Sequence, residues 1–263
     1  MTRMWIPVLA LAGLAGLGLV HGLPGVAAPA QAVAEPGGKA LRPRPVAAAG
    51  PVVAELFTSQ GCSSCPPADA VAARLARDPG ILVISRPVTY WDRLGWKDSL
   101  GRESNTRLQR QYGDTAFGGA NIYTPQLVID GRTQGVGSQE AKARQLIARA
   151  GTVRKASGVA VRVSRTADGG RSVELQGKAG QGADVILVAL SANETVRIGR
   201  GENGGRTVSY TNVVIDETVL GRWKGGKQTI TLRATQLAAP GADRHALIVR
   251  QGAGGPVIGS AVI

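Results

Sequence analysis

Cys62 and Cys65 are the only cysteines in the chain, and they sit in Gly61-Cys-Ser-Ser-Cys-Pro-Pro-Ala-Asp69. Two thiols at this spacing can close on each other or stand open as a dithiol. The chemistry they fit is thiol–disulfide exchange through a mixed disulfide. Their surroundings decide how reactive they are. Ahead of them runs Val52-Val53-Ala54-Glu55-Leu56-Phe57, an apolar segment that reads as a buried strand. Behind them Ala68, Val71, Ala72 and Leu75 recur at helical spacing, with Arg74 and Arg77 off that face. Proline is accepted in the first helical turn and not further in, so Pro66-Pro67 fix the helix start. Cys65 then stands near the N-cap, and Cys62 lies in the preceding loop as the more exposed thiol. Unpaired N–H groups and the helix dipole favour thiolate at that junction. Cys62 is therefore the expected attacking thiol and Cys65 the resolving one.

Strand, Cys-x-x-Cys, helix is the order found in thioredoxin-like redox sites. Structural zinc needs about four ligands, yet the only histidines are His21 and His245. Copper would want further His or Met ligands, and both methionines, Met1 and Met4, lie at the extreme N-terminus. Asp92 and Asp98 specify no metal. No metal and no bound cofactor are expected. An inert structural disulfide remains open beside the redox reading. It would close only a small loop, which limits its entropic contribution.

The elements that must position the thiols follow in order. Asp78-Pro79-Gly80 turns the chain into Ile81–Ile84, a short buried strand. Tyr90-Trp-Asp-Arg-Leu-Gly-Trp-Lys-Asp98 is an aromatic and charged loop, and Gly101 to Tyr112 fits a polar helix. Ile122-Tyr-Thr-Pro125 leads to Gln126–Ile129 and an Asp-Gly hairpin turn. A helix is expected over Gln139–Ala150, with Ser138 as its N-cap. After about residue 158 strand-like runs recur (Val159–Ser164, Arg171–Leu175, Asp184–Ser191, Glu194–Ile198, Thr207–Ile215, Gln228–Leu232, His245–Arg250), which suggests a sandwich. Gly199–Arg206 lacks the Lys-Ser/Thr pair of a phosphate loop and reads as a hairpin loop.

Of the 263 residues, 43% are hydrophobic, enough for a sizeable core. Residues 1–30 read as a secretory signal peptide: Arg3, an apolar run from Trp5 to Val20, and Ala28-Pro29-Ala30 as a small-x-small cleavage site. An uncleaved anchor is the alternative, but the run is short for a span. Residues 31–50 are a Pro/Ala/Gly-rich linker. Export implies a periplasmic or extracellular, oxidising location, where a cysteine pair can stay disulfide-bonded. The formal net charge of +13 is spread along the chain. A nucleic-acid binder would show a basic patch or stripe. The expectation is a basic solvated surface with at most loose association with the envelope.

The chain resembles an uncharacterised family of secreted bacterial proteins with a thioredoxin-like domain, a domain of unknown function. The resemblance rests on Glu55–Asp69, on Tyr90–Asp98 and on Tyr123-Thr-Pro-Gln-Leu-Val-Ile-Asp-Gly131, and continues into Arg200–Arg206 and Asn212–Val214. It implies an α/β thioredoxin-like domain over 51–157, followed by a mostly β, sandwich-like C-terminal domain over 158–263. It also implies that Pro125 is cis and faces the thiols, with Thr124 offering backbone to substrate. Glu55 would take the place of the buried acid that accepts a proton from the resolving thiol; a strand-edge carboxylate in water or in a salt bridge is the equal alternative. One departure stands out: the family pattern has His and Asp where this chain has Pro87 and Thr89.

Tyr90, Trp91, Asp92 and Trp96 gather several of the few aromatics in one loop, as in a lid or substrate-binding surface. Trp91 plugging the core beneath the loop is the plainer alternative. Two function classes follow. One is an exported thiol–disulfide oxidoreductase whose partners are protein thiol or disulfide substrates and a redox partner protein. The other is a non-catalytic envelope binding or adaptor protein with a structural disulfide. Reactivity of the cysteine pair separates them.

Overall fold

The computed structural model describes residues 50–157 and 159–263. The signal-peptide and linker readings for residues 1–49 lie outside the described residues. Within them the chain forms eleven strands and three α-helices. In order these are β1 Val52–Thr58, α1 Pro66–Leu75, β2 Ile81–Pro87, α2 Glu103–Thr115, β3 Gln126–Ile129, β4 Thr133–Val136 and α3 Glu140–Ser157. Then come β5 Ala160–Arg165, β6 Arg171–Gly177, β7 Ala183–Arg197, β8 Thr207–Trp223, β9 Gly226–Leu232, β10 Arg244–Arg250 and β11 Val257–Val262.

Eight strands make one mixed sheet in the order β11-β10-β7-β8-β2-β1-β3-β4, and β5-β6-β9 make a small antiparallel sheet. Every residue of β1 and of β2 is buried, as expected for strands covered on both faces. The alternation along β1 sorts its neighbours. Ala54 and Leu56 face Val71, Ala72 and Leu75 of α1 and Ala143 and Ile147 of α3. Phe57 packs with Leu108 and Tyr112 of α2. The small sheet covers the same large sheet further along, where Val161, Val173 and Leu175 pack with Leu187, Val249 and Trp223.

The expected fold class is corrected here. The protein is mostly β, and it is not an α/β thioredoxin-like domain followed by a β domain. The reason is the free edge of β2. Such an edge presents unpaired N–H and C=O groups, and β8 covers it, running parallel with Ser85 opposite Val213. Side chains secure the junction: Ser85 Oγ donates to the Thr211 carbonyl at 2.7 Å, and Asn212 Nδ2 to the Val83 carbonyl at 2.9 Å. Strands from before and after residue 158 thus share one sheet.

Other differences are local. The runs Asp184–Ser191 and Glu194–Ile198 are one long strand, β7, which pairs with β8 as a ribbon. Strand β11 has no counterpart among the sequence runs. Helix α3 extends past Ala150 to Ser157 because Arg154 is anchored, its guanidinium on both carboxylate oxygens of Asp130 at 2.9 and 2.6 Å. Asp130 also serves the three-residue β3–β4 turn, where it and Gly131 take φ of 48° and 61° and Arg132 N donates to the Ile129 carbonyl; a turn of this hand needs both central residues left-handed.

Candidate functional site

Helix α1 starts where the prolines predict, with Pro66 and Pro67 at its first positions and Cys65 at the N-cap. The loop from Ser59 to Cys65 closes tightly: Cys62 N donates to the Ser59 carbonyl, and Cys65 N to the Cys62 carbonyl. The loop is also held from outside. Asp98 Oδ2 accepts the Gln60 N–H at 2.8 Å, while Asp98 Oδ1 accepts from Leu100. Gln60 Oε1 accepts Trp96 Nε1–H at 2.8 Å. A Cβ on Gly61 would stand 3.2 Å from that of Trp91, so the loop and Trp91 approach closely there.

Both thiols are free and enclosed; Cys62 is 1% accessible and Cys65 0%. Cys62 is therefore not the openly exposed thiol that its place in the loop suggested. Donation from the Cys65 thiol, the Ser64 hydroxyl and Thr124 stabilises a negative Cys62 sulfur and pulls its pKa down to about 6, against a burial effect that raises it. The Cys62 Sγ to Ser64 Oγ distance is 3.3 Å. Burial pushes the Cys65 thiol far up, and its hydrogen bond to Cys62 and the charge there push it further. The two sulfurs are thus split into one that ionises easily and one that holds its proton.

Asp69 was not singled out from the sequence, although it closes the cysteine stretch. It lies one helical turn beyond Cys65, a spacing that shares one face. It is 2% exposed, Thr58 Oγ1 donates to its Oδ1 at 2.9 Å, and its Oδ2 has no hydrogen-bond partner among the described residues. Burial raises its pKa to about 8, with the Thr58 hydrogen bond pulling the other way. Its charge opposes ionisation of Cys65, while the Thr58 hydroxyl favours it. A carboxylate that titrates near an ordinary thiol (about 8.5) is matched for proton exchange with one.

Glu55 does not meet the cysteines. It is wholly buried on the α2 side of β1, where Oε1 accepts from Arg86 at 2.6 Å and from Arg250 at 2.8 Å. Tyr112 donates its hydroxyl to Oε2. Burial alone would raise this carboxyl, but Arg250 and Arg86 outweigh it and hold the pKa below its usual value. The alternation of β1 decides the matter: its even positions face α1 and Glu55 is odd.

Thr124-Pro125 is cis. Thr124 accepts Trp91 Nε1–H at 2.9 Å and favours ionisation of Cys62, so this loop links the aromatic loop to the thiol site. Pro125 is buried, and its carbonyl accepts from Gly137 N. Tyr90 leans on Trp91 with ring centroids 6.4 Å apart. Asp92 accepts the Asp98 N–H at 3.1 Å. The two aspartates therefore fasten loops, and among the described residues no group of three His, Cys, Asp or Glu is placed to hold a metal. Pro87 and Thr89 engage the start of α2: the Pro87 carbonyl accepts from Asn105 Nδ2, and Thr89 bonds Glu103 and Thr106.

The family model for a protein of unknown function, DUF1223, matches residues 53–250. The chain belongs to the DUF1223 family. A crystal structure of a protein from Agrobacterium tumefaciens is similar at 29% identity and a TM-score of 0.68, covering 82% of this chain and 94% of that one. HBP35 of Porphyromonas gingivalis is similar in fold alone, with 13% identity and a TM-score of 0.53 over 83% of this chain and 76% of that one. No curated protein matches the chain. The DUF1223 match takes in both cysteines, Asp69, the Thr124-Pro125 bond and the whole β7–β8 ribbon.

Proposed function

We propose that this DUF1223 protein is an exported thiol–disulfide oxidoreductase. The observation that carries the reading is the pairing of Cys62 and Cys65 at the N-terminus of α1 with a buried, half-partnered Asp69 one turn on. Export rests on the signal-like residues 1–30.

The exchange runs as follows. The Cys62 thiolate attacks one sulfur of a substrate disulfide, and that S–S bond breaks as the Cys62–substrate bond forms. The leaving thiolate takes a proton from solvent. Cys62 is now uncharged, so the charge that held the Cys65 proton in place is gone. Asp69 accepts that proton, directly or through Thr58, in its ionised form, which is the minor form near neutral pH and gains as pH rises towards 8. Cys65 then attacks the Cys62 sulfur and releases the second substrate thiolate. The substrate gains two electrons, and the protein is left with a Cys62–Cys65 disulfide. A dithiol redox partner protein returns it to the reduced form by the reverse steps, and the same steps run backwards oxidise substrate dithiols. Thr124, Trp91, which hydrogen-bonds it, and Tyr90, which leans on Trp91, are the proposed substrate contacts.

One observation favours a second reading, a non-catalytic binding protein with a closed cysteine pair: Cys62 is almost wholly covered. A pair of variants separates the two. With a disulfide-bonded peptide, Cys65→Ser is expected to accumulate a mixed disulfide on non-reducing gels, while Cys62→Ser forms none. Equal and negligible reaction by wild type and both variants would favour the binding protein.

A further inference from the structure

The β7–β8 ribbon ends in a loop, Ile198–Arg206, far in sequence from the cysteines. The loop closes on itself, with Ile198 N donating to the Arg206 carbonyl, Gly205 N to the Ile198 carbonyl and Gly204 N to the Gly201 carbonyl. It is seated against the aromatic loop: a Cβ on Gly199 would fall 2.8 Å from the Trp96 ring, so only glycine allows that approach. Asn203, at the tip, is 1% exposed. Its Nδ2 donates to the Gln60 carbonyl at 3.0 Å and to the Cys62 carbonyl at 2.8 Å. Its neighbour Glu202 is exposed and accepts the Ser63 N–H on Oε2 at 3.1 Å.

Resting on the oxidoreductase reading, we propose that this ribbon tip tunes the thiol site: Asn203 positions Cys62 by holding the carbonyls on either side of it, and Glu202 opposes its ionisation. The two act with opposite sign. A carbonyl oxygen is the negative end of a dipole, and two of them lie within one residue or two of the sulfur. Asn203 commits both of its amide hydrogens to them, which offsets their repulsion of a thiolate and fixes the loop that carries it. Glu202 brings a full negative charge to the residue after Cys62 and takes up a backbone N–H that would otherwise favour an anion there. Its exposure lets solvent and salt weaken the effect.

The test is the rate of Cys62 alkylation by iodoacetamide against pH, on the mature chain, with the modified residue assigned by mass spectrometry. The midpoint reports ionisation and the plateau reports access, so a lid that merely lifts changes only the plateau. Asn203→Ala is expected to raise the midpoint by about half a unit to one unit, and Glu202→Gln to lower it by a few tenths, less at high salt. Should Asn203→Ala not fold, the Glu202→Gln shift decides alone: downward supports the proposal, and no shift overturns it. A lowered melting temperature with unmoved midpoints in both variants would also overturn it, leaving the tip a structural brace. A wild-type midpoint near about 8.5 counts instead against the oxidoreductase reading itself.

Discussion

Glu55 and Asp69 are both carboxylates sealed from water, at 0% and 2% exposure, on opposite sides of strand β1. Their states differ. Glu55 is met by two guanidinium groups and a phenol and stays ionised, its pKa held down by Arg250 and Arg86 against burial. Asp69 is met by one hydroxyl, and burial prevails, lifting its pKa to about 8. Burial acts on both in the same direction; the partners decide the sign. A fully paired carboxylate joins strands. A half-paired one keeps a proton near neutral pH and has something to exchange. Glu55 joins β1 to β2 and β10, and through Arg86 to Glu217 of β8 at 2.7 Å.

Breaking the paired side is expected to have the largest effect on stability. Glu55→Gln leaves Arg250 without its carboxylate and Arg86 with Glu217 and Asn105. Breaking a buried pair costs about 3–5 kcal/mol, or roughly 10 °C in Tm for a chain of this size. Urea titration and thermal melting measure it. The Cys62 alkylation midpoint should stay where it is. A moved midpoint with unchanged Tm would reverse the roles assigned to the two acids.

Changing the half-paired side is expected to act on chemistry. Asp69→Asn should slow the second exchange step by about 100-fold, the range for one lost proton acceptor. The first attack should be nearly unaffected. Rapid acid quench would then show the mixed disulfide building up in the variant. Equal lifetimes of that species in variant and wild type would remove Asp69 from the mechanism.

The same substitution should change the pH dependence of stability, and the sign follows from linkage. Asp69 titrates near 8 folded and near 3.9 unfolded. Its protonated form is favoured by folding, so its contribution is complete below about pH 3.9 and is lost as pH rises towards 8. Asparagine carries no such loss. The stability of Asp69→Asn relative to wild type should therefore climb between about pH 4 and pH 8 and level off above. A difference that is flat with pH would mean that Asp69 is ionised in the fold throughout.

The smallest expected effect sharpens the contrast within Asp69 itself. Thr58→Val removes its one hydrogen-bond donor at a cost of about 1 kcal/mol. The Asp69 pKa should rise further, moving the pH profile of the second exchange step up by about half a unit. An unmoved profile would show that the hydroxyl does not tune the acid.

What could be read from the sequence was whatever one turn or one strand decides. Pro66-Pro67 set the start of α1 and with it the place of Cys65 at the N-cap. The helical repeat of Ala68, Val71, Ala72 and Leu75 named the face that packs on β1. The Asp-Gly pair named the β3–β4 turn. Asp69 was within reach on the same grounds, since four residues on from Cys65 is the same helix face, but nothing local marked that face as buried around it.

Only the tertiary structure decided the rest, because each remaining choice is a contact between segments that no periodicity links. Alternation along β1 puts Glu55 and Leu56 on opposite faces, yet which face receives α1 depends on how the chain crosses the sheet. The free edge of β2 was invisible until β8 filled it, which is why an α/β fold followed by a separate β fold was expected where one mixed sheet runs through. Asn203 reaches the Cys62 carbonyl across 141 residues of sequence. Local propensity acts within a few residues, whereas such a contact exists only once the ribbon, the sheet edge and the cysteine loop have each found their places.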